Sequence, residues 1–338
     1  MVNKLLSDVL PPLVLGGGVF NTQMNDDPFN LPIADLIARA FDAGVTAIDT
    51  SPYYGESENL IGAALQRADI AARYGRHEYM LNTKVGRIAV DRFDYSDQWV
   101  RASVNRSMRR LGTDYLDVVY CHDVEFATPA QMLAAVGALF DLQSQGVIRF
   151  VGISGYPPDL LVDRVRHVVR RFGRPPDVVQ SYCHFTLQNS KLARHLAEFK
   201  RAGVDVVINS SPLSMGLLSG SPAAAFHPAP QGLRDACMRA ASHARDRHGM
   251  NLADLAARYA IGEFARAACR HGVSGAVVVG ASYPHELESF VAAWHDVTVQ
   301  PHGPCHNSDN VLDSYQLVFD DVQAVLGSWK DYSWHSGL

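Results

Sequence analysis

Eight short, β-rich runs alternate with helical stretches along most of the chain, and this rhythm limits the folds open to it. The runs are PLVLGG, TAID, YMLNTKV, LDVVYCH, IRFVGIS, DVVQS, DVVINS and AVVVGA. Between them lie LPIADLIARAFDAG, SENLIGAALQRA, SDQWVRASVNRSMRRLG, TPAQMLAAVGALFDLQSQG and SKLARHLAEFKRAG, with apolar residues at helical spacing. Several of these stop at a glycine after a basic or polar last turn, as a helix C-terminus favours. No long antiparallel run interrupts the series. The pattern points to an α/β fold, a parallel (β/α)8 TIM barrel in a single domain over residues 1–338. A doubly wound sheet is the main competitor, but no GxGxxG opens a first helix. Gly16-Gly17-Gly18 runs into Val-Phe-Asn-Thr and reads as a loop that approaches a ligand closely.

Composition narrows the function. The hydrophobic content of 47% suits a large core, and 338 residues suffice for one such barrel. Net charge is −5 with no basic stripe, so nucleic-acid binding is not expected. Apolar stretches such as GAVVVGA are too short to span a bilayer, so no membrane partner is expected. The opening MVNKLLSDVLPPLVLGGG lacks a basic start and a cleavage site, and reads as the lead-in to the first strand. Cys121, Cys183, Cys237, Cys269 and Cys305 are odd in number and never in CxxC spacing. That argues against a disulfide scaffold and places the protein in a reducing compartment, the cytoplasm. Cys183-His184 and HGPCH at 302–306 lack metal-finger spacing, so no metal site is expected. The basic pair in MRRLG at 108–112 reads as a solvated helix end.

Two segments break the rhythm. Residues 212–232 are rich in Pro, Gly, Ala and Ser after the seventh strand, and read as a lid over the active face. The tail 298–338 carries His302, His306, Trp329, Trp334 and His335, and is aromatic enough to cover a pocket mouth.

Four residues carry the chemistry: Asp49, Tyr54, Lys84 and His122. Each falls at or just past the end of an expected strand, and in a barrel those ends converge on the functional face. A tyrosine is a poor base at neutral pH, but a neighbouring ammonium favours the phenolate. Lys84 supplies that charge, Asp49 holds it, and His122 hydrogen-bonds the substrate oxygen. Tyr54 then serves as base in oxidation or acid in reduction. A Schiff-base role for Lys84 competes, but needs a neutral amine, which the Asp49 partner opposes.

With these residues in place, the chain resembles the aldo-keto reductases, from LGGG at 15–18 to VVVGASYPHELE at 277–288. DAGVTAIDTSPYYGESENLIGAAL looks like that family's first signature and RRLGTDYLDVVYCH like its second. The resemblance assigns the catalytic tetrad to Asp49, Tyr54, Lys84 and His122. It implies a nicotinamide cofactor whose carboxamide is held by Ser154 and Gln180. Ser210, Pro212, Leu213, Gly280, Ser282 and Glu286 are the further cofactor residues it implies. Gly155 stands where the family commonly has Asn, and Ser210 where it commonly has a stacking Tyr. Glu286 stands where an Arg usually grips the 2′-phosphate of NADP, which implies NAD. LGGGVFNTQMNDDP, HDVEF at 122–126 and INSSPLSMGLL look most like NAD-dependent sugar 1-dehydrogenases of the D-arabinose, L-galactose and L-fucose kind. The implied substrate is a small-molecule aldose, oxidised at C1 to a lactone. Phe20, His122, Asp123 and Trp329 are the implied substrate contacts, with Glu125 and Trp334 nearby. A general NAD(P)H-dependent aldehyde or ketone reductase, and a cofactor-binding regulatory subunit of a membrane channel, remain the alternatives. The oligomeric state is open.

Overall fold

Eight parallel strands close into a barrel in chain order, each hydrogen-bonded to the next and the last to the first. The structure, a computed structural model, describes residues 4–298 and 308–336. The strands are β1 (Leu13–Gly16), β2 (Ala47–Asp49), β3 (Met80–Val85), β4 (Leu116–Cys121), β5 (Ile148–Gly155), β6 (Val178–Tyr182), β7 (Val206–Ser210) and β8 (Ser274–Gly280). All eight fall on the expected runs, so the barrel expectation holds. The helices are α1 (Ile33–Asp42), α2 (Ser57–Leu65), α3 (Ala68–Ala71), α4 (Asp97–Leu111), α5 (Pro129–Ser144) and α6 (Pro158–Phe172). They continue with α7 (Leu196–Arg201), α8 (Gln231–His248), α9 (Leu252–Arg258), α10 (Phe264–Arg270), α11 (Pro284–Thr298) and α12 (Ser308–Leu326). No described helix is long and apolar enough to cross a membrane.

Local chemistry sets the helix ends. Ser96 accepts the Trp99 amide at 3.3 Å to start α4, and Gly112 closes it in the left-handed region. Thr128 and Gln131 form a reciprocal capping box ahead of α5, with Pro129 in the first turn. The basic pair ending α4 is not merely solvated. Arg110 reaches the fully buried Glu58 at 3.2 Å, whose other oxygen accepts from Thr83 at 2.8 Å.

Two apolar layers fill the molecule. Val14, Ala47, Met80, Val118, Tyr120, Phe150, Val178, Val206, Ile208, Ala276 and Val278 form one cluster with Leu6. They alternate along the strands with the larger set that packs under the helices. Ser7 donates through its amide and hydroxyl to Asp205 at 2.9 and 2.8 Å, which pins the entering chain beside Leu6. The described opening residues therefore do more than lead into β1.

Close helix approach makes one position intolerant. A Cβ on Gly62 in α2 would collide with the carbonyl oxygen of Arg110 at the end of α4. Gly62→Ala is expected to destabilise the fold by at least the roughly 1–3 kcal/mol typical of overpacking. Urea unfolding reads this directly, and a midpoint equal to wild type would contradict the packing described.

The loop after β7 is held, not open. Ser211, Ser214 and Met215 adopt left-handed backbone angles. His227 is buried and bonds the Ser214 carbonyl at 2.9 Å through Nε2, while its Nδ1 accepts from the Ala229 amide at 3.0 Å. Arg234 of α8 donates to the carbonyls of His227 and Ala229. The end of the tail is pinned as well. Gln188 Nε2 donates to the carbonyls of Trp329 and Tyr332 at 2.7 and 3.0 Å, and Asn189 Nδ2 to that of Tyr332 at 3.1 Å. Trp334 is buried against Tyr156 at 5.6 Å and edge-on to His227 at 5.0 Å. His302, Cys305 and His306 lie outside the described residues. Cys121, Cys183 and Cys237 are free and buried, whereas Cys269 is disulfide-bonded, a single link that counts against the expected reducing compartment.

Candidate active site

Strand register gathers the four chemical residues at one end of the barrel. Asp49 ends β2, Lys84 is the penultimate residue of β3, and His122 follows β4. Asp49 pairs with Asn82 and Lys84 with Tyr120, so the three strand ends are level neighbours. Tyr54 sits in the turn between β2 and α2, where its amide donates to the Ser51 carbonyl at 3.0 Å.

Lys84 Nζ donates to Asp49 Oδ1 and to the Thr50 carbonyl at 2.9 Å. It lies 4.9 Å from the centre of the Tyr54 ring. The Tyr54 and His122 rings meet edge-on at 5.9 Å. Asp49 and Lys84 are 3% and 2% exposed, so this is a buried ion pair. Burial works to lower the Lys84 pKa, but Asp49 and Tyr54 outweigh it and the ammonium is held above its ordinary range. A neutral Schiff-base amine does not fit that balance. Burial raises the Asp49 carboxyl, and Lys84 opposes the rise.

Burial also raises the Tyr54 phenol, and the Lys84 charge pulls it back without cancelling the effect. Lys84 lowers it as expected, but desolvation of the phenolate is the larger effect. Burial lowers His122 to about 3, so its imidazole is neutral at physiological pH. Its Nδ1 faces the Ser51 hydroxyl at 3.3 Å. A neutral imidazole with one nitrogen occupied in this way offers the other to a substrate oxygen.

Three of the expected cofactor residues, Ser154, Gln180 and Ser210, form a connected set. Ser154 pairs with Gln180 across β5 and β6. Gln180 Nε2 donates to Asp49 Oδ2 at 3.3 Å and to Ser210 Oγ at 2.8 Å, tying this side of the barrel to the tetrad. Ser154 Oγ and Gln180 Oε1 are buried with no hydrogen-bond partner. One is a donor and the other an acceptor, the complement of a carboxamide's oxygen and amino group. The residues present therefore fit a nicotinamide.

Pro212 and Leu213 open the loop after β7. At β8, a Cβ on Gly280 would stand 2.9 Å from Val19. Ser282 Oγ accepts from Asn25 Nδ2 at 3.0 Å, and the same Asn25 group reaches the Val19 carbonyl at 2.7 Å. Asn25 thus joins the loops after β1 and β8, a link that no sequence pattern announced. Glu286 Oε2 accepts the amides of Ser282 and Tyr283 at 2.7 and 3.2 Å, so this carboxylate also caps the turn into α11.

The expected substrate contacts separate. His122 and Asp123 adjoin, with Asp123 Oδ2 3.6 Å from His122 Nε2. Phe20 is fully buried in the core. Trp329 packs on Gly232 and Tyr332. Glu125 Oε1 accepts the Tyr156 amide at 3.0 Å, and burial, helped by Asp123, raises its carboxyl to about 8. Its side chain fills the space that a Cβ on Gly155 would need. Gly155 is thus explained by the carboxyl packed over it. Sequence reasoning missed Ser51 and Arg87, whose roles depend on contacts across the loops.

Comparison with known proteins identifies the family. A family model described as aldo/keto reductase family matches residues 12–301. The chain is 42% identical over 280 residues to D-arabinose 1-dehydrogenase of Saccharomyces cerevisiae, covering 82% of this chain and 81% of that protein. It is 33% identical over 331 residues to L-galactose dehydrogenase of Arabidopsis thaliana, covering 95% and 91%. Among solved structures, an aldo-keto reductase from Bacillus halodurans in its holo form superposes with a TM-score of 0.63 at 20% identity, covering 96% of this chain and 94% of that one. That last likeness speaks to fold alone.

Proposed function

The chain belongs to the aldo/keto reductase family, and from that premise we propose that it oxidises the C1 hydroxyl of an aldose to a lactone with NAD. The buried Asp49–Lys84 pair beneath Tyr54, beside a neutral His122, carries this reading. The relatives named for D-arabinose and L-galactose supply the substrate class. Small-molecule sugar is the partner this implies.

The cofactor, when bound, accepts the hydride that leaves C1. Ser154 and Gln180 would hold its carboxamide through the two unpartnered atoms described above. His122 hydrogen-bonds the anomeric oxygen and holds it toward Tyr54. Tyr54 takes the hydroxyl proton as the C1–H bond breaks, leaving the lactone carbonyl. Lys84 stabilises the phenolate form of Tyr54, and Asp49 keeps Lys84 charged and in place. The test is turnover of an aldose panel with NAD, followed by reduced-cofactor absorbance and lactone detection. Absence of turnover with cofactor bound would favour the regulatory-subunit alternative.

The pH dependence has a definite sign. Oxidation needs Tyr54 as a base, and its pKa is raised. The oxidation rate is therefore expected to climb with pH through the alkaline range, while reduction falls. The midpoint belongs to the coupled Tyr54–Lys84 pair. His122, at about 3, adds no limb between pH 5 and 8. A profile of kcat/KM that is flat above neutrality, with hydride transfer rate-limiting, would contradict Tyr54 as base.

Glu286 supports NAD over NADP. A carboxylate accepts from ribose hydroxyls and repels a 2′-phosphate. Glu286→Arg is expected to move the ratio of specificity constants toward NADP by at least about tenfold, a shift of roughly 1.4 kcal/mol. Because Glu286 also caps the α11 turn, the ratio is the proper readout and not the absolute rate. An unchanged ratio would remove Glu286 from cofactor choice.

A further inference from the structure

Beside the tetrad lies an ion pair that the mechanism above does not use. Arg87 Nη1 donates to Asp123 Oδ2 at 2.6 Å, and the two side chains are 9% and 4% exposed. Buried ion pairs gain little for folding over an apolar pair of the same volume. This one is also held by a costly backbone. Asp123 has φ of 47°, in the left-handed region. The Tyr95 hydroxyl sits between the carbonyls of His122 and Asp123 at 2.7 and 3.0 Å and keeps that turn in place. The Arg87 guanidinium lies 4.1 Å from the centre of the Tyr53 ring. Tyr53 is in turn 6.2 Å from Tyr54 and 6.1 Å from His122, ring to ring. The pair thus belongs to the wall of the reactive site.

Two of its atoms have unused capacity. Arg87 Nε is buried without a partner. Asp123 Oδ1 accepts no hydrogen bond among the described residues. We propose that Arg87 and Asp123 grip the hydroxyl on C2, so that the protein selects aldoses bearing a free C2 hydroxyl. This rests on the C1-oxidation reading above.

His122 holds the oxygen on C1, and the Asp123 carboxylate is 3.6 Å from its Nε2. With the C1 oxygen on His122, the sugar atoms nearest to Asp123 are those next to C1. These are the ring oxygen and the C2 hydroxyl. An ionised carboxylate accepts and never donates, and the ring oxygen has no hydrogen to give. The C2 hydroxyl is the neighbour that Asp123 can bind. Arg87 both fixes the carboxylate and presents a donor to the same oxygen.

The experiment compares an aldose with its 2-deoxy and 3-deoxy counterparts, by kcat/KM, in wild type, Asp123→Asn and Arg87→Met. A hydrogen bond to a charged group corresponds to roughly a tenfold to hundredfold preference. Wild type is expected to favour the aldose over the 2-deoxy sugar by that factor. In both variants this ratio is expected to fall toward one, while the ratio to the 3-deoxy sugar stays near its wild-type value. Using ratios cancels any general loss of rate. A wild-type 2-deoxy ratio within twofold of one overturns the proposal, even where a variant fails to fold. So do variants that keep the full wild-type ratio. No turnover of any aldose overturns the C1 reading itself, and this proposal with it.

Discussion

Tyr54→Phe is expected to lose about 10²- to 10⁴-fold in kcat, the range contributed by a positioned general acid–base group. Fold and cofactor affinity should remain. The change deletes one hydroxyl, and Lys84, which hydrogen-bonds it, keeps its bonds to Asp49 and the Thr50 carbonyl. Tyr54 is anchored through its backbone, with its amide on Ser51 and its carbonyl accepting from Ser57 at 3.1 Å. The ring and its contact with His122 survive. Thermal melting and cofactor titration separate the two effects. A variant within about twofold of wild type would remove Tyr54 from the chemistry.

Lys84→Met should damage both activity and stability, for different reasons. Activity falls because the charge that favours the phenolate is gone. Stability falls because Asp49 is left buried and without its ammonium partner. Breaking one side of a buried pair costs about 3–5 kcal/mol. Adding Asp49→Asn removes the orphaned charge, so the double variant should regain much of the lost stability. It should regain none of the activity. Urea unfolding with steady-state kinetics on the three proteins tests this. A double variant that recovered activity would make the pair purely structural.

The parts of this site that were legible in the sequence share a cause. Asp49, Lys84 and His122 follow β-branched runs, and a barrel brings such ends together whatever the intervening helices contain. Contacts between distant loops left no such mark. Gln180 reaches Asp49 across 131 residues, and only the closed barrel reveals it. Arg87 carries no pattern of its own; its partner Asp123 is 36 residues away. Glu125 looked like a free acceptor because sequence shows its charge and not the Tyr156 amide that takes it. Phe20 and Trp329, expected as substrate contacts, pack into the core and against α8. The pKa of Tyr54 shows the same limit. Lys84 is visible in the sequence, whereas the desolvation that outweighs it is a property of the packed site.

The central claim is that hydride leaves C1 of an aldose while Tyr54 takes the adjacent proton. The most direct measurement uses an aldose carrying deuterium at C1, with NAD, and follows both rate and label. The account predicts that the deuterium appears on the reduced nicotinamide, that the product is the lactone, and that the rate falls with a primary isotope effect where the chemical step limits turnover. Deuterium retained in the sugar product, or oxidation at another carbon, would contradict it.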